Sequence, residues 1–478
     1  MTTSTTTPSL QTLKDKLHAI DQSHLLNFYD ELTDQQQQAL LAQIAALDLD
    51  RIPSLVDQYV LNKPSLELDP AALAPATYYP REGDWDRAHF RAVGEDLLRN
   101  GKVAAFTVAG GQGSRLGYDG PKGEYPAGAV SAKPLFACLA DWILWATRKF
   151  SHAPLWAIMT SPLNHERTVN FFNEHNHFGL DPDNVLFFSQ GVMPSFNRAD
   201  GKVLLKDKAT LATNPDGHGG SLRALHRSGA LDTMRNRGIE HISYFHVDNP
   251  LVRVIDPTFL GLHAAAPDSS AQMSSKMVPK AAWNEKVGVF AHLNGKTAVI
   301  EYSDLPESLA KKADAQGNIA YNAGSVGIHT IAIEFVKSLS AGGNFSLPFH
   351  RADKRVPCIN TTTGEAINPS EPNAVKLETF VFDAVPLADR SIVYETDRID
   401  EFAPIKNAEG TDSPTTCHAI QAERAARILE SAGVKVPRNP DGTPDCKLEL
   451  APTFAASPDE IDPASVPPIT PGSELTLA

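Results

Sequence analysis

The first stretch able to do chemistry is Val108-Ala-Gly-Gly-Gln-Gly-Ser-Arg-Leu-Gly117, followed by Gly120-Pro-Lys-Gly123. It leaves a short apolar run, Val103–Val108, so its glycines stand at the end of an expected buried strand. Gly110, Gly111 and Gly113 let the backbone turn sharply and bring several N–H groups to an anion. Arg115 and Lys122 supply the positive charge that a triphosphate needs. The loop is not a Walker A loop, because Lys122 is not followed by Ser or Thr in the required frame. It is not a dinucleotide fingerprint either, because Leu116 occupies the place of the third glycine, which argues against a nicotinamide dehydrogenase. Read alone, three glycines also suit a plain turn flanked by two solvated cations.

Other candidates lie at the ends of apolar runs. Tyr244-Phe-His-Val-Asp-Asn249 is a strand ending in an acid, a good position for a divalent cation, although a strand-terminal Asp-Asn more often makes a turn or helix cap. Gln190, in Phe188-Ser-Gln-Gly191, can both accept and donate, as base discrimination requires, and is otherwise an ordinary loop residue. Asn214-Pro-Asp-Gly-His-Gly-Gly220 is a second glycine loop. His292, His329, His350 and His418 have no metal-ligand spacing and read as structural or surface residues.

These loops need rigid elements behind them. Val103–Val108, 155–160, 185–189 and 242–247 are buried-strand candidates interleaved with helical patterns, and Ser161-Pro162 is expected to open a helix through Phe172. The interleaving predicts an α/β fold with a parallel or mixed central sheet and helices on both faces. Two alternating runs flanking Asn294-Gly295 predict a hairpin. Residues 10–60 read as helices, with Thr33 and Gln36 as a capping box; 61–81, with Pro64, Pro70, Pro75 and Pro80, read as a linker. Beyond about 435 the Pro, Asp and Ser content predicts an extended or disordered tail. Three consecutive regions are expected: a helical amino-terminal part (1–95), a catalytic domain (96–375), and a small α+β carboxyl-terminal part with the tail (376–478).

With 478 residues, 42% apolar and 21% charged, the chain has the composition of a multi-domain globular protein. Lys plus Arg number 43 against 57 Asp plus Glu, a net charge of −14, so no general attraction for nucleic acid or anionic lipid is expected. No apolar run is long enough for a membrane span, residues 1–9 do not read as a signal peptide, and the four cysteines form no CxxC pair. A soluble cytoplasmic protein is the expectation. Oligomeric state is not legible.

The first loop resembles the signature of sugar-nucleotide pyrophosphorylases, with Val108 and Ser114 as mild departures. Matches continue in order over about residues 80–430 and are similar to the UDP-sugar pyrophosphorylase family, in its branch acting on N-acetylglucosamine. The resemblance implies a Rossmann-like nucleotide-diphospho-sugar transferase fold. It implies UTP contacts at Val108, Ala109, Gly110, Gly111, Lys122, Gln190, Gly217, Asp248 and Lys376, with Mg²⁺ held by Asp248. It also implies sugar contacts at His218, Gly288, Glu301 and Asn322, and catalytic charge from Arg115, Lys122, Lys376 and Lys406. At His218 the chain departs from the asparagine common in the acetylated-sugar enzymes; a histidine there is usual in the UDP-glucose enzymes, whose following acid is here Gly220.

The implied partners are therefore UTP and a sugar 1-phosphate, joined with release of pyrophosphate. The sugar is expected to be N-acetylglucosamine, with glucose as the alternative. A sugar-nucleotide-binding protein without catalysis is the reading from another class; retention of Arg115, Lys122 and Asp248 together counts against it.

Overall fold

The computed structural model describes residues 9–63, 68–340, 345 and 347–478; the amino terminus through residue 8, and Pro64 of the expected linker, lie outside them. The chain groups into two compact units, Met1–Glu67 with Gln190–Gly220 and Leu347–Val381, and Leu68–Ser189 with Ser221–Ser346 and Phe382–Ala478. Both are discontinuous in sequence, where consecutive regions were expected.

In the first unit the helices Leu10–Ala19 and Asp34–Ala46 cover a small antiparallel sheet of His350–Lys354, Ala374–Glu378 and Phe196–Asn197. Leu13, Leu17, Leu40 and Ile44 share one core with Phe196, Val203, Val375 and Leu377. Thr33 and Gln36 make the expected capping box. Gln22 is buried and ties the helices to the sheet side, donating to Gly201 O and accepting from Val203 N–H at 2.8 Å.

The second unit is built on a ten-stranded mixed sheet. Its main run is Leu73–Pro75, Val289–Leu293, Ala323–Ala332, His241–His246, Val103–Val108, Trp156–Thr160 and Val185–Ser189. The last four strands are parallel; Ala323–Ala332 joins them antiparallel. The first five residues of Val103–Val108 are all buried, as expected for a strand covered on two faces. On one face the helix Leu135–Phe150 sets Phe136, Leu139 and Trp142 in the core that holds Val103, Ala105, Trp156 and Ile158. On the other, Phe106 meets Phe188 and Tyr244, and Tyr244 hydrogen-bonds Ser221 of the helix Gly220–Arg227.

Asn294 and Gly295, both at positive φ, turn Val289–Leu293 back onto Lys296–Ile300 as the dipeptide predicts. The helices Arg87–Arg99 and Pro257–Ala265 cross backbone to backbone: a Cβ on Gly94 would lie 1.8 Å from Pro257 O, and one on Gly261 1.7 Å from Phe90 O.

Three local expectations are corrected. The helix after Ser161-Pro162 starts only at His165, because the side chain of Asn164 is engaged elsewhere. Within 61–81, Leu73–Pro75 is an edge strand on Val289–Leu293, a place where Pro75 is tolerated. The carboxyl-terminal segment is folded. Lys447–Leu450 and Glu474–Leu477 pair in parallel, and Leu448, Leu450 and Leu477 pack on Ala425, Ile428 and Leu429 of the helix Pro414–Ser431. Apolar alternation outweighs the polar composition there. Glu449, on the same strand, accepts from Val130 N–H, Ser131 N–H and Ser131 Oγ at 2.7–3.0 Å, clasping the segment to the main body.

Candidate active site

The glycine loop begins where Val103–Val108 ends, with Ala109 N–H donating to Met159 O. It folds back on itself: Gly113 N–H donates to Gly120 O, Tyr118 N–H to Gly113 O, and Lys122 N–H to Gly111 O. Gly117 takes φ 69°, the left-handed region that favours glycine. Nothing stands within 4 Å of a Cβ placed on Gly111, so that side of the loop is open. Arg115 is exposed and makes no hydrogen bond or ion pair among the described residues.

Two braces outside the motif fix this loop. The buried amide of Asn164 donates to Ala109 O at 3.0 Å and to Gly111 O at 3.4 Å, while its oxygen accepts from Ser161 N–H. Glu124, also buried, accepts two bonds from Arg167 Nε, one from Arg167 Nη2 and one from Tyr118 OH. Neither brace was expected from the sequence. An asparagine before a helix reads as a cap, and nothing local says that its side chain turns toward the loop.

Lys122 Nζ lies 3.2 Å from Asp248 Oδ2, so the loop cation and the strand-end acid are brought together. Burial would raise the Asp248 carboxyl, but Lys122, then Lys406 and His246, outweigh it and hold it below the usual carboxylate range. Asp248 is therefore ionised at neutral pH. Lys406 reaches this neighbourhood because its segment is stitched to the strand end. Ile405 N–H donates to Asp248 O at 2.8 Å, Asn249 Nδ2 donates to Glu401 O at 2.6 Å, and Ala403 N–H donates to Asn249 Oδ1 at 3.1 Å. Lys406 Nζ also stands 3.4 Å from Asp412.

A second group in the same unit collects three candidate sugar residues. A Cβ on Gly288 would lie 3.7 Å from Glu301 Oε1, Ser325 N–H donates to Gly288 O, and Lys280 N–H donates to Asn322 O.

The remaining candidates belong to the first unit. Gln190 is buried at its margin. Gly217, at φ 81°, and Gly219 press on the backbone of Thr379 and Phe380, where a Cβ would come within 2.3 and 2.6 Å; glycine is required for that approach. His218 stacks on Phe380 at 5.0 Å and accepts from Val381 N–H at Nδ1. Lys376 sits in the strand Ala374–Glu378, opposite Ala352. No helix among the described residues is long and apolar enough to cross a membrane.

The model of the UTP–glucose-1-phosphate uridylyltransferase family matches residues 85–420. UDP-N-acetylglucosamine diphosphorylase 2 of Arabidopsis thaliana is 35% identical over 441 residues, 88% of this chain and 85% of its own. The UDP-N-acetylglucosamine pyrophosphorylase of Saccharomyces cerevisiae is 33% identical over 434 residues, 87% and 90% of the two chains. A crystal structure of the Trypanosoma brucei UDP-N-acetylglucosamine pyrophosphorylase, in complex with an inhibitor, has a TM-score of 0.79 over 94% of this chain and 93% of that one. At 24% identity it supports the fold alone. With an α/β sheet of the expected kind, a braced glycine loop facing an ionised aspartate, and a match over most of its length, the chain belongs to the UTP–glucose-1-phosphate uridylyltransferase family, a family of nucleotidyltransferases.

Proposed function

We propose that the chain joins UTP and N-acetylglucosamine 1-phosphate into UDP-N-acetylglucosamine, releasing pyrophosphate. The observation that carries the reading is the approach of Lys122 to Asp248 at the foot of a loop open on the Gly111 side. The acetylated sugar is favoured by the names of the relatives that match across most of the chain.

In this reading an oxygen of the sugar phosphate attacks the α-phosphorus of UTP and pyrophosphate leaves in line. That oxygen is already anionic near pH 7, so no general base is needed. The chain must align two anions and offset their repulsion. The amides of residues 109–113 with Arg115 orient the triphosphate. Lys122 exchanges its bond to Asp248 for a phosphate oxygen, and Lys376 and Lys406 bring charge to the sugar phosphate. Gln190 and Gly217 serve the uracil side; His218, Gly288, Glu301 and Asn322 serve the sugar.

Asp248 would hold Mg²⁺. The described residues contain no group of three His, Cys, Asp or Glu able to hold a metal, so the chain offers one ionised carboxylate and leaves the other positions to phosphates and water. That donor set fits Mg²⁺. When bound, the ion screens phosphate charge and acts as a Lewis acid. A cytoplasmic location completes the reading, supported by Cys138, Cys358, Cys417 and Cys446 all being free.

A second reading, glucose 1-phosphate as acceptor, is favoured by His218. Its Nδ1 accepts from Val381 N–H, which fixes the orientation of the ring. Pyrophosphate release measured with UTP and each sugar 1-phosphate separates the two. Faster turnover with N-acetylglucosamine 1-phosphate is expected; preference for glucose 1-phosphate reverses the assignment. UDP-sugar binding without turnover would make this a non-catalytic binding protein.

A further inference from the structure

Asn164 stands immediately before the helix His165–Glu174, where an asparagine ordinarily caps the first free N–H groups of the helix. It makes no such cap. The residue is only 1% exposed, and its amide is fully used elsewhere. Nδ2 donates to Ala109 O at 3.0 Å and to Gly111 O at 3.4 Å, while Oδ1 accepts from Ser161 N–H at 2.7 Å and from Ser161 Oγ at 3.0 Å. Ser161 N–H can only donate, so the oxygen of the amide must face it and the NH₂ group must face the loop.

The position of this amide has a simple cause. Val103–Val108 and Trp156–Thr160 run parallel, and the last backbone rung between them is Ala109 N–H to Met159 O. A parallel ladder would next join Ser161 N–H to Ala109 O. Both groups bind the Asn164 amide instead, so a side chain supplies the rung where the two strands separate. Ala109 O has no other partner among the described residues, whereas Gly111 O also receives Lys122 N–H at 3.0 Å.

A trans peptide group points its C=O and N–H in opposite directions, and the described residues contain no cis peptide. Drawing the carbonyls of 109 and 111 toward Asn164 therefore turns the N–H groups of Gly110 and Gln112 away from it. The N–H groups of Gly110, Gly111 and Gln112 donate to nothing among the described residues, while those of Ala109 and Gly113 are committed to Met159 O and Gly120 O. The donors left for an anion are thus the three amides 110–112. Glycine lets a peptide plane turn over at little cost, and a reversed 109–110 group would present an oxygen to a phosphate.

We propose that Asn164 is a positioning residue for the triphosphate, fixing the 109–110 and 111–112 peptide groups so that Gly110 and Gln112 donate to it. The assignment rests on the UTP reading given above. Asn164 itself touches no substrate; it acts through the backbone it holds.

The test compares wild type with Asn164→Asp, which keeps the shape but sets an acceptor against the two carbonyls, and with Asn164→Ala. UTP binding is measured by calorimetry, and KM is measured separately for UTP and, at saturating UTP, for the sugar 1-phosphate. Both variants should bind UTP about tenfold or more weakly, the effect of losing a hydrogen bond to a charged group. KM for UTP should rise in step, with KM for the sugar 1-phosphate near wild type. Should Asn164→Asp fail to fold, Asn164→Ala decides alone. Wild-type UTP affinity in a variant that merely melts at lower temperature would overturn the assignment, and so would an equal rise in both KM values. Wild-type protein that binds UTP but turns over neither sugar 1-phosphate would sink the catalytic reading alone, and the UTP affinities would still decide the role of Asn164. Wild-type protein that binds no UTP would sink both.

Discussion

Lys122 and Asp248, 126 positions apart in the chain, meet at 3.2 Å where two parallel strands end side by side. The pairing holds the aspartate ionised and keeps the lysine at the loop before any substrate arrives. Replacing Lys122 by alanine is expected to lower turnover by about two to three orders of magnitude, the loss typical of one charge-stabilising donor. The pyrophosphate-release rate measures it, with an unchanged circular dichroism spectrum reporting an intact fold. Wild-type kinetics would remove Lys122 from the chemistry.

Glu449→Gln tests the clasp on the carboxyl-terminal segment. Burial would raise this carboxyl, but hydrogen bonds from Ser131 and Val130, with Lys133 nearby, hold it below the usual range. A depressed carboxyl contributes stability that is complete above its unfolded value of about 4.3 and is lost as the pH falls through the folded value. The variant should therefore be less stable at pH 7 by about 1–3 kcal/mol, the range for charge-assisted hydrogen bonds. The gap from wild type should narrow in melts taken below about pH 4. A gap constant with pH would mean that the charge is not what clasps.

Lys276→Met removes the cation that hydrogen-bonds both buried acids, leaving Arg253 at 3.8 Å from Glu401, and a loss of up to about 3–5 kcal/mol is expected. Adding Asp256→Asn and Glu401→Gln should recover part of it, because the stranded charges disappear. Chemical denaturation of the single and triple variants provides the comparison. If the triple variant is weaker by the sum of its parts, the charges are not coupled.

Gly94→Ala places a methyl 1.8 Å from Pro257 O, a backbone atom that cannot rotate aside. The two helices must separate, at a cost of about 1–3 kcal/mol or more. A melting temperature equal to wild type would show that the crossing is looser than its geometry.

Much of this arrangement was readable from residue order, and what was readable was local. Val103–Val108, 185–189, the Thr33–Gln36 cap and the Asn294-Gly295 turn each depend on neighbours within a few positions, and each formed as expected. The glycine loop belongs with them. What escaped depends on partners far away in sequence. Asn164 reaches back to Ala109, Gln22 reaches forward to Val203, and the amino-terminal helices share a core with Val375 and Leu377. The carboxyl-terminal strands were hidden differently. Their alternation of Leu448 with Leu450 and Leu475 with Leu477 was present but masked by prolines on either side.

Asn249 hydrogen-bonds the segment of Lys406 on both sides of its own strand end. Because one amide grips Glu401 and Ala403 while Asp248 O receives Ile405 N–H, the anion and the more distant cation belong to a single rigid frame. Their separation is preset, and little dipole rearrangement is left to occur as charge shifts between the phosphates. Whatever adjustment the encounter demands falls instead on the incoming molecules.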